Sequence, residues 1–265
     1  MQKAAGAIDE MLALDELASG HTSVHRLHPL SKLLVTVLYV VTVISVNRLD
    51  FVTLSIFFFY PTVLTAAGGI PFRAIAKRLL AALPFVLFMG LSNILFETEA
   101  YTVVLGLAVS RGLVSFIVLT EKTVLTVSAV LLLMATTKAP QIFACLRGLG
   151  LPKILTILLM LSLRYLSVLL GEADRMMRAY RLRSYKAKGI QMRDMGSFAG
   201  QLLLRSFDRA EHIYKAMKLR GFSGDFPLGA DIKMNAASFL YLLAAAASIV
   251  FFRFVSIMDI TALFG

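Results

Sequence analysis

The stretch Ala173–Tyr185 reads ADRMMRAYRLRSY, and 37 residues further along the chain Ala210–Phe222 reads AEHIYKAMKLRGF. Four of the thirteen aligned pairs are identical. Five more keep their chemistry, namely Asp174/Glu211, Arg178/Lys215, Arg181/Lys218, Ser184/Gly221 and Tyr185/Phe222. Apolar residues recur every three or four positions in both copies, and acids stand three or four residues from bases on the opposite face. The duplication therefore predicts two similar amphipathic helices, each ending in Leu-Arg-small-aromatic.

The chain as a whole has the composition of a membrane protein. Of its 265 residues, 58% are hydrophobic and the mean hydropathy is +0.78, whereas soluble domains contain about 45–50% apolar residues. The formal net charge is +11, an excess that favours cytoplasmic loops of a membrane protein over a nucleic-acid-binding surface. The single cysteine, Cys145, excludes an intrachain disulfide and a thiolate metal cage. The acidic N-terminal stretch argues against a signal peptide.

Five apolar stretches are long enough to cross a bilayer, which takes about 17–25 residues: residues 30–47, 49–69, 79–96, 112–135 and 235–255. A sixth apolar run, residues 154–170, lies between two basic segments. Residues 171–224 alone carry twelve bases and five acids, and basic loops stay in the cytoplasm. Because both flanks are predicted to be cytoplasmic and Arg164 lies near the centre, we predict that this run is a helix that lies in the cytoplasmic interface or packs among the spans instead of crossing.

The sequence thus predicts an all-α membrane protein with about five transmembrane helices, a cytoplasmic N-terminus and long amphipathic cytoplasmic helices. Two alternatives stay open: a sixth crossing by residues 154–170, which breaks the charge rule, and a short re-entrant helix over residues 101–111. The predicted segments are an N-terminal cytoplasmic segment (1–27), transmembrane helices one to four (28–136), cytoplasmic and interfacial helices (137–233) and a C-terminal transmembrane helix (234–265).

The two duplicated helix ends have the chemistry of a protein interface. An arginine presents a rigid fork of donors to a carboxylate, the small residue after it allows close approach, and the aromatic residue supplies an apolar anchor. We define the first tip as Leu182, Arg183 and Ser184, and the second tip as Leu219, Arg220 and Gly221. The predicted supporting residues are Tyr185, Phe222, Arg181 and Lys218. Between the helices, Gly189, Gly196 and Gly200 predict a turn and a close helix crossing.

Several catalytic and binding motifs are missing from the sequence. It contains no G-x-x-x-x-G-K-[ST] phosphate loop, no H-E-x-x-H and no paired Cys/His spacing, so we predict a non-catalytic chain without a cofactor. Imidazoles suit Co²⁺ and Ni²⁺, but the favoured interpretation of His21, His25 and His28 is a polar segment before the first span. Glu121 and Lys122 lie within an apolar span, where they either face a partner subunit or reach the interface.

Short motifs along the chain point to one family: His28-Pro29-Leu30-Ser31-Lys32-Leu33, Thr136-Thr137, Leu149-Gly150-Leu151-Pro152, Arg164-Tyr165, Arg205-Ser206 with Arg209-Ala210-Glu211, and Ala216-Met217-x-Leu219-Arg220-Gly221-Phe222-x-Gly224. With these motifs the chain resembles the transmembrane T component of energy-coupling factor (ECF) transporters, in the cobalt/nickel-type CbiQ branch. The resemblance runs from about His28 to the C-terminus.

The resemblance implies a role for the two tips. Each would sit in a groove of one of two ATP-binding-cassette ATPase subunits, and the long helices would cross as an X beneath the membrane. They would pass nucleotide-driven closure to a separate membrane subunit that captures the substrate, with Co²⁺ or Ni²⁺ as the implied cargo. A vitamin cargo stays open, as does a self-contained permease or channel; an enzyme has no visible nucleophile–base pair or metal cluster.

Overall fold

The structure is a computed structural model that describes residues 17–20, 22–47, 50–96, 100–103, 107–184, 189–224 and 234–264. The elements in these ranges are helices α1 (Pro29–Ser45), α2 (Phe51–Phe57), α3 (Phe59–Gly68) and α4 (Phe72–Phe96), strands β1 (Ala100–Val103) and β2 (Leu107–Ser110), and helices α5 (Arg111–Thr136), α6 (Ala139–Gly148), α7 (Lys153–Arg183), α8 (Met192–Leu219) and α9 (Ala236–Phe264). Apart from one short hairpin, the predicted all-α membrane fold is confirmed.

The helices belong to two compact units. The membrane unit contains α1–α5, the hairpin and α9, and the arm unit contains the end of α6 from Phe143 together with α7 and α8. In the membrane unit α1 packs against α5 and α9. The face of α1 that carries Val35, Tyr39 and Val43, four residues apart, is buried at the centre of the core.

Four described helical segments are long and apolar enough to cross a membrane: Phe72–Ile94, Arg111–Thr136, Lys153–Arg183 and Ala236–Phe254. Two shorter apolar helical segments are Pro29–Ser45, which is α1, and Thr53–Gly68, which spans most of α2 and all of α3. The protein is therefore a multi-pass membrane protein. The run 154–170 forms the first half of the continuous helix α7, whose length and composition also suit a crossing, so its interfacial placement stays a prediction.

The predicted second span, residues 49–69, is broken into α2 and α3 at Phe58. The break follows from Pro61, which has no N–H to donate to the carbonyl of Phe57 four residues earlier. The fully buried hydroxyl of Tyr39 donates to that carbonyl instead, at 2.9 Å. A side chain of α1 thus supplies the hydrogen bond that the proline removes.

The predicted alternative of a re-entrant helix over residues 101–111 is wrong, because residues 101–103 and 107–110 lie in strands. Strands β1 and β2 pair antiparallel, with Ala100 opposite Ser110 and Val103 opposite Leu107, and α5 begins directly afterwards at Arg111. β-branched and aromatic residues such as Tyr101, Thr102 and Val109 favour strands over helices. The segment is also too short to form a stable isolated helix.

Candidate coupling tips

The two long helices of the arm unit are joined by side chains at two levels. Near the turn between them, the Tyr180 hydroxyl of α7 donates to Asp194 Oδ2 of α8 at 2.7 Å. Further from the turn, Glu172 of α7 accepts from Arg175 at 2.5 and 3.1 Å and pairs with Arg205 of α8. The Glu172 side chain is only 17% exposed. These two links hold α7 and α8 side by side where they leave the turn.

The first tip lies at the end of α7. The helix ends at Arg183, and Ser184 turns into an extended conformation with φ −100° and ψ 92° while its N–H donates to the Tyr180 carbonyl at 2.9 Å. Leu182 is 89% exposed. The Arg183 guanidinium is exposed and forms no ion pair with the described part of the chain. The first tip therefore presents a leucine and a positive charge to solvent.

The second tip closes α8 with a Schellman motif. The N–H groups of Gly221 and Phe222 donate at 3.0 Å to the carbonyls of Lys218 and Met217, respectively. This geometry needs the left-handed φ of +79° at Gly221, which glycine adopts without a steric penalty. Leu219 is 90% exposed, and Arg220 is exposed without an ion pair to any described residue.

The tips share side chains but differ in backbone. Arg183 is the last residue inside its helix, whereas Arg220 is the cap that follows its helix. The aligned residues Ser184 and Gly221 have φ values of opposite sign. The two tips are therefore similar in sequence but have different backbone conformations.

The two tips lie at opposite ends of α8. The first tip follows the Tyr180–Asp194 contact by one helical turn, and the second tip follows the C-terminus of α8. At 1.5 Å per residue, the 25 residues from Asp194 to Leu219 span about 38 Å, so the tips are about 40 Å apart. The arm unit thus offers two separate, exposed sites of similar chemistry.

A family model described as CbiQ, cobalt transport protein, matches residues 20–228. The chain belongs to this family. Two curated relatives are named energy-coupling factor transporter transmembrane protein EcfT. The one from Bacillus subtilis is 27% identical over 82% of this chain and 86% of its own length, and the one from Listeria innocua is 25% identical over 81% and 86%. An uncharacterised protein from Methanocaldococcus jannaschii is 23% identical over 79% of this chain and 76% of its own.

The predicted supporting residues of this CbiQ-family chain differ from one another in their surroundings. The Lys218 ammonium lies over the Tyr214 ring, 5.4 Å from its centroid. Phe222 is half-buried at the Schellman turn. Arg181 is half-buried, and its Nε is a buried donor without a hydrogen bond to the described residues. Tyr185 and the two lysines after it lie outside the described residues.

The predicted close helix crossing at Gly196 and Gly200 is wrong for the chain by itself. A Cβ added at either glycine, or at Gly189, would meet no described atom within 4 Å. α7 and α8 are joined by the long side chains of Glu172 and Arg205 instead. No described residue covers the glycine face of α8 in this CbiQ-family chain.

The histidines before α1 serve as structural hydrogen-bonding groups. His28 Nδ1 accepts from the Leu30 N–H at 3.1 Å and caps α1, and His25 contacts Thr22 and two backbone carbonyls. His21 lies outside the described residues. Within the described ranges, no group of three or more His, Cys, Asp or Glu side chains is arranged to hold a metal ion.

The ionisable residues of the fourth predicted span also have defined contacts. Lys122 Nζ donates to the carbonyls of Ile44 and Val46 at 3.1 and 2.5 Å, so it caps the carboxyl end of α1. Arg253 of α9 donates to the Ser45 carbonyl of the same helix end at 3.1 Å. Glu121 accepts from the Ser55 hydroxyl at 3.3 Å. Lys122 therefore caps a helix end, and its placement at the interface or against a partner subunit stays a prediction.

Two functional candidates were missed at the level of sequence, namely Lys32 and Tyr39 of α1. Both are buried, with 4% and 0% of their surface exposed. A lysine one turn inside an apolar helix is the signal that points to the first, because membrane helices rarely bury a charge without a purpose. Tyr39 gives no such signal, because its partner is a carbonyl that only the fold brings near.

Proposed function

We propose that this chain is the energy-coupling transmembrane subunit of an ECF-type ATP-binding-cassette importer. Membership of the CbiQ family supports a transport role, and two relatives that cover most of the chain are named energy-coupling factor transporter transmembrane proteins. In this role the chain is non-catalytic, and ATP is hydrolysed by other subunits.

The observation that carries the proposal is the pair of exposed arginine tips about 40 Å apart. Each tip combines a guanidinium that forms no ion pair with a described residue and a leucine that is about nine-tenths exposed, at 89% in Leu182 and 90% in Leu219. A partner that docks on both tips would bury these two leucines and engage the adjacent guanidinium groups. Two like sites at this separation fit two ATPase subunits, one for each tip.

The arm unit is built to pass motion between these sites. The ATPase pair differs between its nucleotide-bound and nucleotide-free states, and it shifts the arms only if it contacts them differently in the two states. The Glu172–Arg205 and Tyr180–Asp194 links keep α7 and α8 together under such a load. A displacement applied at the first tip is thereby transmitted to α8.

The remaining parts of the assembly follow from the same role. A separate membrane subunit captures the substrate, and Co²⁺ or Ni²⁺ is the proposed cargo because the family is described as cobalt transport. A vitamin-specific capture subunit is the alternative. The N-terminus is cytoplasmic in the inner or plasma membrane, residues 28–136 and 234–265 carry the crossings, and residues 137–233 carry the coupling helices.

The test is charge reversal at both tips. The variant Arg183→Glu/Arg220→Glu, co-expressed with the ATP-binding-cassette ATPase subunits of the same organism, is expected to lose them on affinity purification, because two guanidinium contacts become repulsive. The matched control, Arg193→Glu/Arg209→Glu, makes the same change in net charge at exposed positions of α8 outside the tips. Equal retention of the ATPases by both variants would contradict the proposal.

A self-contained permease makes a different prediction. The purified chain reconstituted alone in liposomes would then carry Co²⁺ or Ni²⁺ down a gradient without ATP. The coupling subunit is expected to give no flux above that of protein-free liposomes, and flux by the chain alone would reject it.

A further inference from the structure

The carboxyl end of α5 is capped by side chains from elsewhere in the membrane unit. The last four carbonyls of a helix have no partner inside it. In α5 itself, the Thr136 hydroxyl donates to the Leu132 carbonyl at 2.9 Å and lies 3.3 Å from the Leu133 carbonyl. The Ala135 carbonyl lies 3.3 Å from His25 Nε2, and the Thr136 carbonyl accepts from Lys32 Nζ at 2.9 Å. Two of the four open acceptors, the carbonyls of Ala135 and Thr136, thus have side-chain partners from outside α5.

Lys32 is a buried cation held by neutral groups. Its side chain is 4% exposed, and its ammonium also donates to the His25 carbonyl at 3.3 Å. It forms no salt bridge with a described carboxylate. A buried charge without a counter-ion is unfavourable, but the negative end of the α5 dipole compensates part of that penalty. A cation in this position strongly favours an intact helix end.

His25 connects the same helix end to a second one. Its Nε2 lies 3.0 Å from the Leu17 carbonyl and 3.3 Å from the Ala135 carbonyl, so Nε2 carries a proton, because carbonyls only accept. Its Nδ1 lies 2.6 Å from the Thr22 hydroxyl, which is 3.4 Å from the carbonyl of Gly68, the last residue of α3.

The space around the His25 ring is also built to hold it. A Cβ added at Gly20 would lie 2.9 Å from two ring atoms, so the imidazole packs closely on the glycine backbone. The segment 22–28 therefore ties the ends of α3 and α5 together through one positioned ring.

The α5 end matters because the chain continues from it, through α6, to the arm unit, which begins at Phe143. Thr136 and Thr137 are 5% and 1% exposed, and α6 begins only two residues later, at Ala139. From α6 the chain continues into the arm unit. The end of α5 and the start of the arm unit are therefore joined along the chain by a short connection.

We infer that Lys32 and His25 are positioning residues for energy coupling: they clamp the carboxyl end of α5 so that arm motion moves the helix instead of fraying its last turn. The inference rests on the proposed function. A frayed turn would absorb the displacement and leave ATP hydrolysis without a mechanical output. The two side chains act through α5 and contact neither cargo nor nucleotide.

The experiment compares two lysines that each cap the carboxyl end of another helix. Lys32→Met removes the ammonium that caps α5 and keeps the side-chain length. The matched control Lys122→Met removes the ammonium that caps α1. A hydrogen bond to a charged group contributes enough to shift a local equilibrium by about tenfold or more. Amide hydrogen exchange of residues 133–138 is therefore expected to accelerate about tenfold in Lys32→Met and to stay unchanged in Lys122→Met.

The functional measurement uses the complete transporter in proteoliposomes, with radioactive Co²⁺ and Ni²⁺ as probes. Lys32→Met is expected to keep its ATPase activity while uptake per ATP falls about tenfold, the same factor as the loosened helix end. Lys32→Arg, which keeps the charge and the donors, restores coupling, and Lys122→Met leaves it intact. If Lys32→Met does not insert, His25→Phe carries the same test.

The possible failures are distinguishable. Unchanged exchange at the α5 end in Lys32→Met, or an equal loss of coupling in Lys122→Met, overturns the clamp while leaving the proposed function standing. A wild-type complex that does not assemble with ATPases overturns the proposed function. Wild-type uptake of neither ion overturns only the proposed cargo, and the exchange measurement then decides the clamp.

Discussion

The hydrogen bond between Tyr39 and the Phe57 carbonyl allows a test of how this membrane core is held together. Tyr39→Phe removes the hydroxyl and keeps the ring, which stacks on Tyr60 at a centroid distance of 4.5 Å. The Phe57 carbonyl then loses its donor in a site where the tyrosine was fully buried. Leaving a buried acceptor unsatisfied costs about 1–3 kcal/mol, and we expect unfolding to become easier by that amount.

The proline that creates the open carbonyl provides the second half of a double-mutant cycle. Pro61→Ala supplies an N–H four residues after Phe57, so the helix can close its own bond. Tyr39→Phe is then expected to cost less than about 1 kcal/mol, giving a coupling energy of about 1–2 kcal/mol between the two sites. Tyr241→Phe, whose hydroxyl has only a 3.5 Å contact with that of Tyr60, is the control for loss of a tyrosine hydroxyl.

Reversible unfolding of the purified protein in mixed micelles of mild detergent and dodecyl sulfate measures all four corners of the cycle. If Tyr39→Phe costs the same with proline and with alanine at position 61, the hydroxyl does not replace a helix bond. The break between α2 and α3 then needs another explanation.

Two further predictions concern the tips. Spin labels at the exposed positions Leu182 and Leu219 are expected to give a double electron–electron resonance distance of about 40 Å, and a distance below about 25 Å would show that α8 is not one continuous rod. Gly221→Ala introduces a Cβ at a φ of +79°, which costs about 1–2 kcal/mol at the Schellman turn, and it is expected to weaken ATPase binding. Ser184→Ala, at a φ of −100°, is expected to leave ATPase binding unchanged. Equal binding by both variants would reject a role for this turn.

Much of the architecture follows from patterns that are local in the chain. Residues 79–96 and 112–135 were predicted as spans, and they form most of α4 and α5, because an apolar run of bilayer length has few alternatives to a helix. The period of the arm residues likewise predicted α7 and α8. The tips were recognised from their duplicated sequence, and the structure leaves their arginines exposed.

Features that depend on which helix ends meet were not predictable in this way. The contact of Lys122 with the end of α1 was not predicted, because only three-dimensional packing places those open carbonyls within its reach. The same holds for Lys32 at the end of α5. Gly196 and Gly200 were expected to permit a close crossing, but the spacing of small residues does not say which helix, if any, approaches them.

The unlike backbones of the two tips bear on the symmetry of assembly. Two identical ATPase subunits have identical binding grooves, so the chain docks on them in two equivalent orientations. Two different ATPase subunits can have one groove that fits the extended residue after Arg183 and another that fits the left-handed glycine turn after Arg220. In that case the chain itself determines which subunit lies on which side.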